Sequence, residues 1–175
     1  GCGVVEHWEP DPVDGEQNPL RDNNIEALWP VDPLGGRRGE MIVIGALQHS
    51  FKSGTSLEML KSAALYNRPF MHDPSKKPLL LRLSFENSAM VDIIHLYRSL
   101  IEPEIGMKID QQSIDPIQAA VYVNEKLSVN GYHVKIDHYD PSEFTIFDLA
   151  DVIEKYENDG YEIHMLNIDY LAMMS

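Results

Sequence analysis

Apolar residues in this chain fall into short blocks, and their spacing switches between continuous runs and helical periodicity. Residues 41–45, Met-Ile-Val-Ile-Gly, form an unbroken apolar run, the pattern of a strand covered on both faces. Over residues 55–67, Leu57, Leu60, Ala64 and Leu65 recur at helical spacing, and Pro69 and Pro74 close that helix with a loop. A second run at residues 79–85 predicts a strand, and Met90, Ile93, Ile94, Tyr97 and Ile101 then lay one stripe along a helix. Asp115-Pro116 supplies a cap and a proline at the first helical position. Ile117, Ala120, Val121 and Leu127 carry that helix to a stop at Asn130-Gly131. Residues 132–139 alternate as a third strand. Residues 142–158 predict a helix with Ile146, Leu149, Ala150, Ile153 and Tyr156 inward, and Gly160 ends it. Residues 163–168 form the last strand.

Strands alternating with helices predict an α/β fold, a mostly parallel sheet flanked by helices. Residues 1–35 have a different texture. Pro10, Pro12, Pro19, Pro30 and Pro33 break any long helix there, so this part reads as a linker with at most a helical turn near residues 24–28. Residues 36–175 then form the domain. Trp8 and Trp29 stand in a polar setting, and each docks either on the following domain or on a neighbouring subunit.

Composition narrows the function classes. At 175 residues and 43% hydrophobic, the chain suits one domain with a true core. No stretch approaches the roughly 20 apolar residues of a membrane span, and no signal peptide opens it, so no membrane role is expected. Cys2 is the single cysteine, which excludes an internal disulfide and fits a reducing compartment; with His7 it makes too few ligands for zinc. The chain opens on Gly1 and closes just after an apolar run, so it reads as a fragment cut at both ends. Its net charge of −14, from 28 acidic and 14 basic residues, argues against a large nucleic-acid surface, so any such contact is local or lies in sequence beyond this chain.

In such sheets ligands bind at the carboxyl ends of the strands. After the first strand comes a loop, Ala46, Leu47, Gln48, His49, Ser50, Phe51, Lys52, Ser53 and Gly54; Glu86 follows the second strand and Asp169 ends the last. The P-loop pattern, G-x-x-x-x-G-K-[ST] between strand and helix, uses backbone N–H groups and a helix N-terminus to cradle phosphates. Lys52 would then reach the terminal phosphates and Ser53 would ligate Mg2+. Ala46 and Phe51 stand where the two glycines belong, and the alternative is a loop with a solvated lysine. Asp169 suits a carboxylate that places the metal, or a cap or turn aspartate. Glu86 suits a general base for an attacking water, or a cap for the next helix. His49 lies in the same loop and could touch a phosphate; the histidines at 72, 95, 133, 138 and 164 show no ligand spacing.

These segments together resemble the motor domain of DnaB-like replicative DNA helicases, a RecA-like P-loop NTPase core. Gly36-Arg-Arg-Gly-Glu40-Met-Ile-Val-Ile is similar to the lead-in to a Walker A strand, and Ala46 to Ser53 to the DnaB-type loop, where alanine is a common first residue. Ser84-Phe-Glu86-Asn-Ser resembles the segment carrying that family's catalytic glutamate. Ile168-Asp169-Tyr170-Leu171-Ala-Met-Met174 resembles its Walker B, and Tyr170-Leu171 points away from recombinase and clock-type relatives. Asp140-Pro141 and Thr145-Ile-Phe-Asp-Leu149 resemble the turn and helix before Walker B. The resemblance spans residues 35–175 and is closest to a bacteriophage version. It implies a homo-hexamer that uses ATP and Mg2+ to move along single-stranded DNA, working with a primase or loader in the cytoplasm, that of the bacterial host for a phage protein. It implies Lys52 and Ser53 at the phosphates and metal, Glu86 as base and Asp169 at the metal. The family's DNA-binding loops, glutamine switch and arginine finger follow Walker B, so the core is expected to be truncated there and to hydrolyse ATP poorly by itself.

Overall fold

The computed structural model of the protein describes residues 39–44 and 51–169, together with the backbone of His7–Trp8. Among the described residues the elements run β1 (His7–Trp8), β2 (Met41–Ile42), α1 (Lys52–Tyr66), β3 (Lys77–Ser84), α2 (Ala89–Ile105), α3 (Pro116–Leu127), β4 (His133–His138), α4 (Ile146–Asn158) and β5 (Tyr161–Asp169). One sheet is parallel and three-stranded, in the order β4-β3-β5. Helices cover both of its faces, which is the α/β architecture expected of a RecA-like core fragment.

The layering follows from the two-residue period of β3. Leu79, Leu81 and Leu83 join Leu149, Val152 and Tyr156 of α4 in one apolar cluster, with Phe85 and Phe144. On the opposite face Leu80 joins Leu57, Leu60, Ala63 and Ala64 of α1, Leu96 of α2, and Val123 and Leu127 of α3. A strand covered on both sides carries apolar residues on both, and that is why Leu79, Leu80 and Leu81 read as a run without alternation.

The strand expected over residues 41–45 differs from its expectation. It is two residues long, pairs antiparallel with His7–Trp8, and leaves Met41 and Val43 exposed. A continuous apolar run predicts a strand but says nothing about its partner; here the backbone bonds go to a segment that reads as linker from its prolines. The helical stripes also shift. Ile117 and Val121 of α3 and Ile146 of α4 are exposed, and the buried positions are Ala119, Val123 and Leu127 in the one and Leu149, Val152 and Tyr156 in the other.

Candidate functional site

The α1–α3 face of the sheet changes character along the strands. Toward the amino ends it is apolar, with Leu80 and Met165; toward the carboxyl ends it carries Arg82, Ser84, Asn167 and Asp169, all buried. The register places Arg82 beside Asn167 and Ser84 beside Asp169. Buried polar groups require partners, and these find them in each other, on the two helices that pack above, and, for the Ser84 hydroxyl, in the Asn87 N–H of the following bend.

Arg82 is at the centre and wholly buried. Its Nε donates to Asp92 Oδ2 at 2.6 Å, and its Nη2 to Asp169 Oδ2 at 2.9 Å. Its Nη1 donates to Asn167 Oδ1 at 2.6 Å and to the Ser56 hydroxyl. Ser56 and Asn167 also bond each other twice, from hydroxyl to side-chain carbonyl at 2.9 Å and from side-chain amide to the Ser56 carbonyl at 3.1 Å. That double contact ties α1 to β5 at Ser56, one turn after Lys52, and so sets where Lys52 stands. Lys52 Nζ lies 3.5 Å from Asp169 Oδ1. Two carboxylates, Asp92 and Asp169, thus meet two cations, Arg82 and Lys52.

Phe51 is the left-handed residue that precedes α1, with a φ of 59°, and among the described residues no other non-glycine has a positive φ. Only glycine takes that conformation freely, and this is the position where the P-loop pattern has its second glycine. Gly54 accommodates the Phe51 ring: a Cβ on Gly54 would lie 2.1 Å from ring carbon Cε1. Among the described residues no side chain caps α1, whereas Ser88, Asp115 and Thr145 cap α2, α3 and α4. Ser53 and Gly54 are in the first turn of α1, half-buried. Ala46, Leu47, Gln48, His49 and Ser50 lie outside the described residues, as do Tyr170 and the residues after it.

Glu86 is exposed in the bend that follows β3. The residues on either side hold that bend: the Phe85 N–H donates to the Asp169 carbonyl at 2.8 Å, and Asn87 Nδ2 approaches Asp92 Oδ1 at 3.4 Å. The α2 cap is Ser88, whose side chain accepts from Val91 N–H, so that role does not fall to Glu86. Lys52, Asp169 and the Glu86 bend therefore share the carboxyl edge of the sheet. Sequence reasoning missed Arg82, Asp92, Ser56 and Asn167. The available signal was an arginine inside an otherwise apolar strand, since a buried charge demands a counter-charge.

The donor set suits magnesium better than a metal that needs an all-protein cage. Mg2+ is held through one or two carboxylates with waters and phosphates, and Asp169 with a first-turn hydroxyl fits that description. Among the described residues no group of three or more His, Cys, Asp or Glu could hold a metal ion. No helix among them is long and apolar enough to cross a membrane.

The family model for a divergent DnaB-like ATPase matches residues 30–175. The chain belongs to the divergent DnaB-like ATPase family. ATPase chemistry is what that family's name describes. No curated protein and no solved structure matches the chain.

Proposed function

We propose that this DnaB-like ATPase carries the Mg–ATP site of a ring-forming DNA helicase motor, at the edge where Lys52 meets Asp169. The 3.5 Å approach of that lysine to a buried strand-end carboxylate is the observation that carries the reading. In the nucleotide-free protein each charge compensates the other. On binding, Lys52 Nζ turns to the terminal phosphate oxygens, and the uncapped N-terminus of α1 offers its N–H groups beside it. Ser53 and Asp169 are the residues that would hold Mg2+, which neutralises phosphate charge when bound. Glu86, exposed on the same edge, orients a water and takes its proton. The residues 46–50 complete the phosphate loop in this reading. A homo-hexamer, single-stranded DNA and a primase or loader as partners, cytoplasmic location and phage origin rest on the family likeness alone. The division at residue 35 rests on the prolines of residues 1–35 and the change of texture after Gly35-Gly36. DNA work would use basic loops, because a net charge of −14 leaves no broad basic face.

Titration of a fluorescent ATP analogue, with and without Mg2+, tests the site. The unsubstituted chain is expected to bind in a Mg2+-dependent way, and Lys52→Ala to weaken binding at least about 10-fold, as losing a charge-assisted phosphate contact does. Equal binding by both proteins would contradict the reading. Phe51 favours a second one, a module that binds nucleotide without turnover, because a side chain replaces the glycine that lets phosphate approach the backbone. Phosphate release measured beside the titration separates the two.

A further inference from the structure

We infer that Arg82 is a positioning residue: from inside the fold it holds one oxygen of Asp169 so that the other faces Lys52. This rests on the Mg–nucleotide reading of the site. All three guanidinium nitrogens are engaged, Nε by Asp92, Nη1 by Ser56 and Asn167, Nη2 by Asp169. A planar fork held at every corner cannot turn. Asp169 Oδ2 is therefore fixed at 2.9 Å from Nη2, and Oδ1 is the oxygen that meets Lys52. When Lys52 transfers to phosphate, Oδ1 is presented without any rotation of the carboxylate.

Stability alone does not explain such a cluster. Apolar residues of similar volume commonly replace a buried ion pair at no loss of stability, and one pleat earlier on the same face Leu80 does the packing. The charge appears only where the strand nears the edge. Asp92 compensates Arg82 from the far side, so the guanidinium can bond Asp169 while Lys52 remains a second cation for it. The same Asp92 is approached by Asn87, beside Glu86, and Ser56, one turn into α1, ties in that helix. One buried cation thus references the three parts of the site to each other.

The test is the Mg2+ concentration needed for half-maximal binding of a fluorescent ATP analogue, in Arg82→Lys and in the double variant Arg82→Met/Asp92→Leu, with melting temperature to report folding. Both are expected to need about 10-fold more Mg2+, as metal sites do when an outer partner of a ligand is lost, with binding restored at saturating Mg2+. A folded variant with an unchanged or lower requirement overturns the inference. Unsubstituted protein that binds the analogue without regard to Mg2+ overturns the site reading itself, a distinct result. Nitrogen NMR of the Arg82 side chain in unsubstituted protein stands independently of how the variants fold. Its Nη2 protons are expected to stay protected when Mg2+ and analogue are added, and loss of that protection also overturns the inference.

Discussion

Phe51 holds a backbone conformation that costs a non-glycine residue about 1 to 2 kcal/mol, and its ring occupies the space over Gly54. The two positions are therefore coupled. Alanine is about 1 kcal/mol better than glycine inside a helix, so Gly54→Ala should stabilise a Phe51→Gly protein. In the Phe51 background the new Cβ must first displace the ring. A double-mutant cycle by urea denaturation is expected to give a coupling of about 1 kcal/mol, and strict additivity would contradict the packing described. At Asp92 the expectation is harsher. Asp92→Ala leaves the buried Arg82 with one of its two carboxylates and should destabilise by about 3 to 5 kcal/mol, measured the same way. Neither feature was fully legible in the sequence. Phe51 could be seen to stand where a glycine belongs, but not that its backbone keeps the glycine's conformation. Arg82 was visible only as one polar letter in an apolar strand, because pattern reading places a residue on an element without naming what lies across from it.

At the scale of elements, the α3 cap was plain in the sequence, whereas the α4 cap, at Thr145, stands three residues beyond the start that the pattern predicts at residue 142. Asp115-Pro116 marks the start of α3, and the Asp115 side chain accepts from Ile117 and Gln118 N–H. Thr145 and Asp148 form a reciprocal capping box at the start of α4. Thr145→Ala should lower stability by about 1 kcal/mol in denaturant titration, and an unchanged midpoint would contradict that role. The faces of α3 and α4 were harder, because each carries apolar residues on more than one side and periodicity cannot choose between two stripes. Exposed Ile117, Val121, Ile146 and Phe147 show the ambiguity. β3 and β5 were plain, since each is a short apolar run alternating with helical patterns. β2 was not, for a run of that kind fits antiparallel pairing to a distant segment as well as a place in the main sheet.

Across the whole molecule, carboxylates at turns and caps tie stability to pH. Hydrogen bonds from Ser75 hold Asp73 below its ordinary value, those from Ser142 do so for Asp140, and those from Thr145 for Asp148. The Ile109 N–H and Arg98 lower Glu102, and Lys126 with Tyr122 lowers Glu104. A group whose folded pKa is depressed contributes stability fully above its unfolded value and loses it as pH falls through the folded one. The urea midpoint should therefore hold steady through neutral pH and fall below the usual carboxylate range, around pH 4 and under. A midpoint that rises in acid would show that relief of the −14 net charge outweighs these bonds.

The central claim concerns what Lys52 does when nucleotide arrives, and a crystal structure of the chain with Mg2+ and a non-hydrolysable ATP analogue tests it most directly. The account predicts the triphosphate at the start of α1, Lys52 Nζ moved from Asp169 onto a phosphate oxygen, and Asp169 facing the ion from its hold on Arg82. Analogue bound away from this edge, or the Lys52–Asp169 ion pair intact beside bound nucleotide, would contradict it.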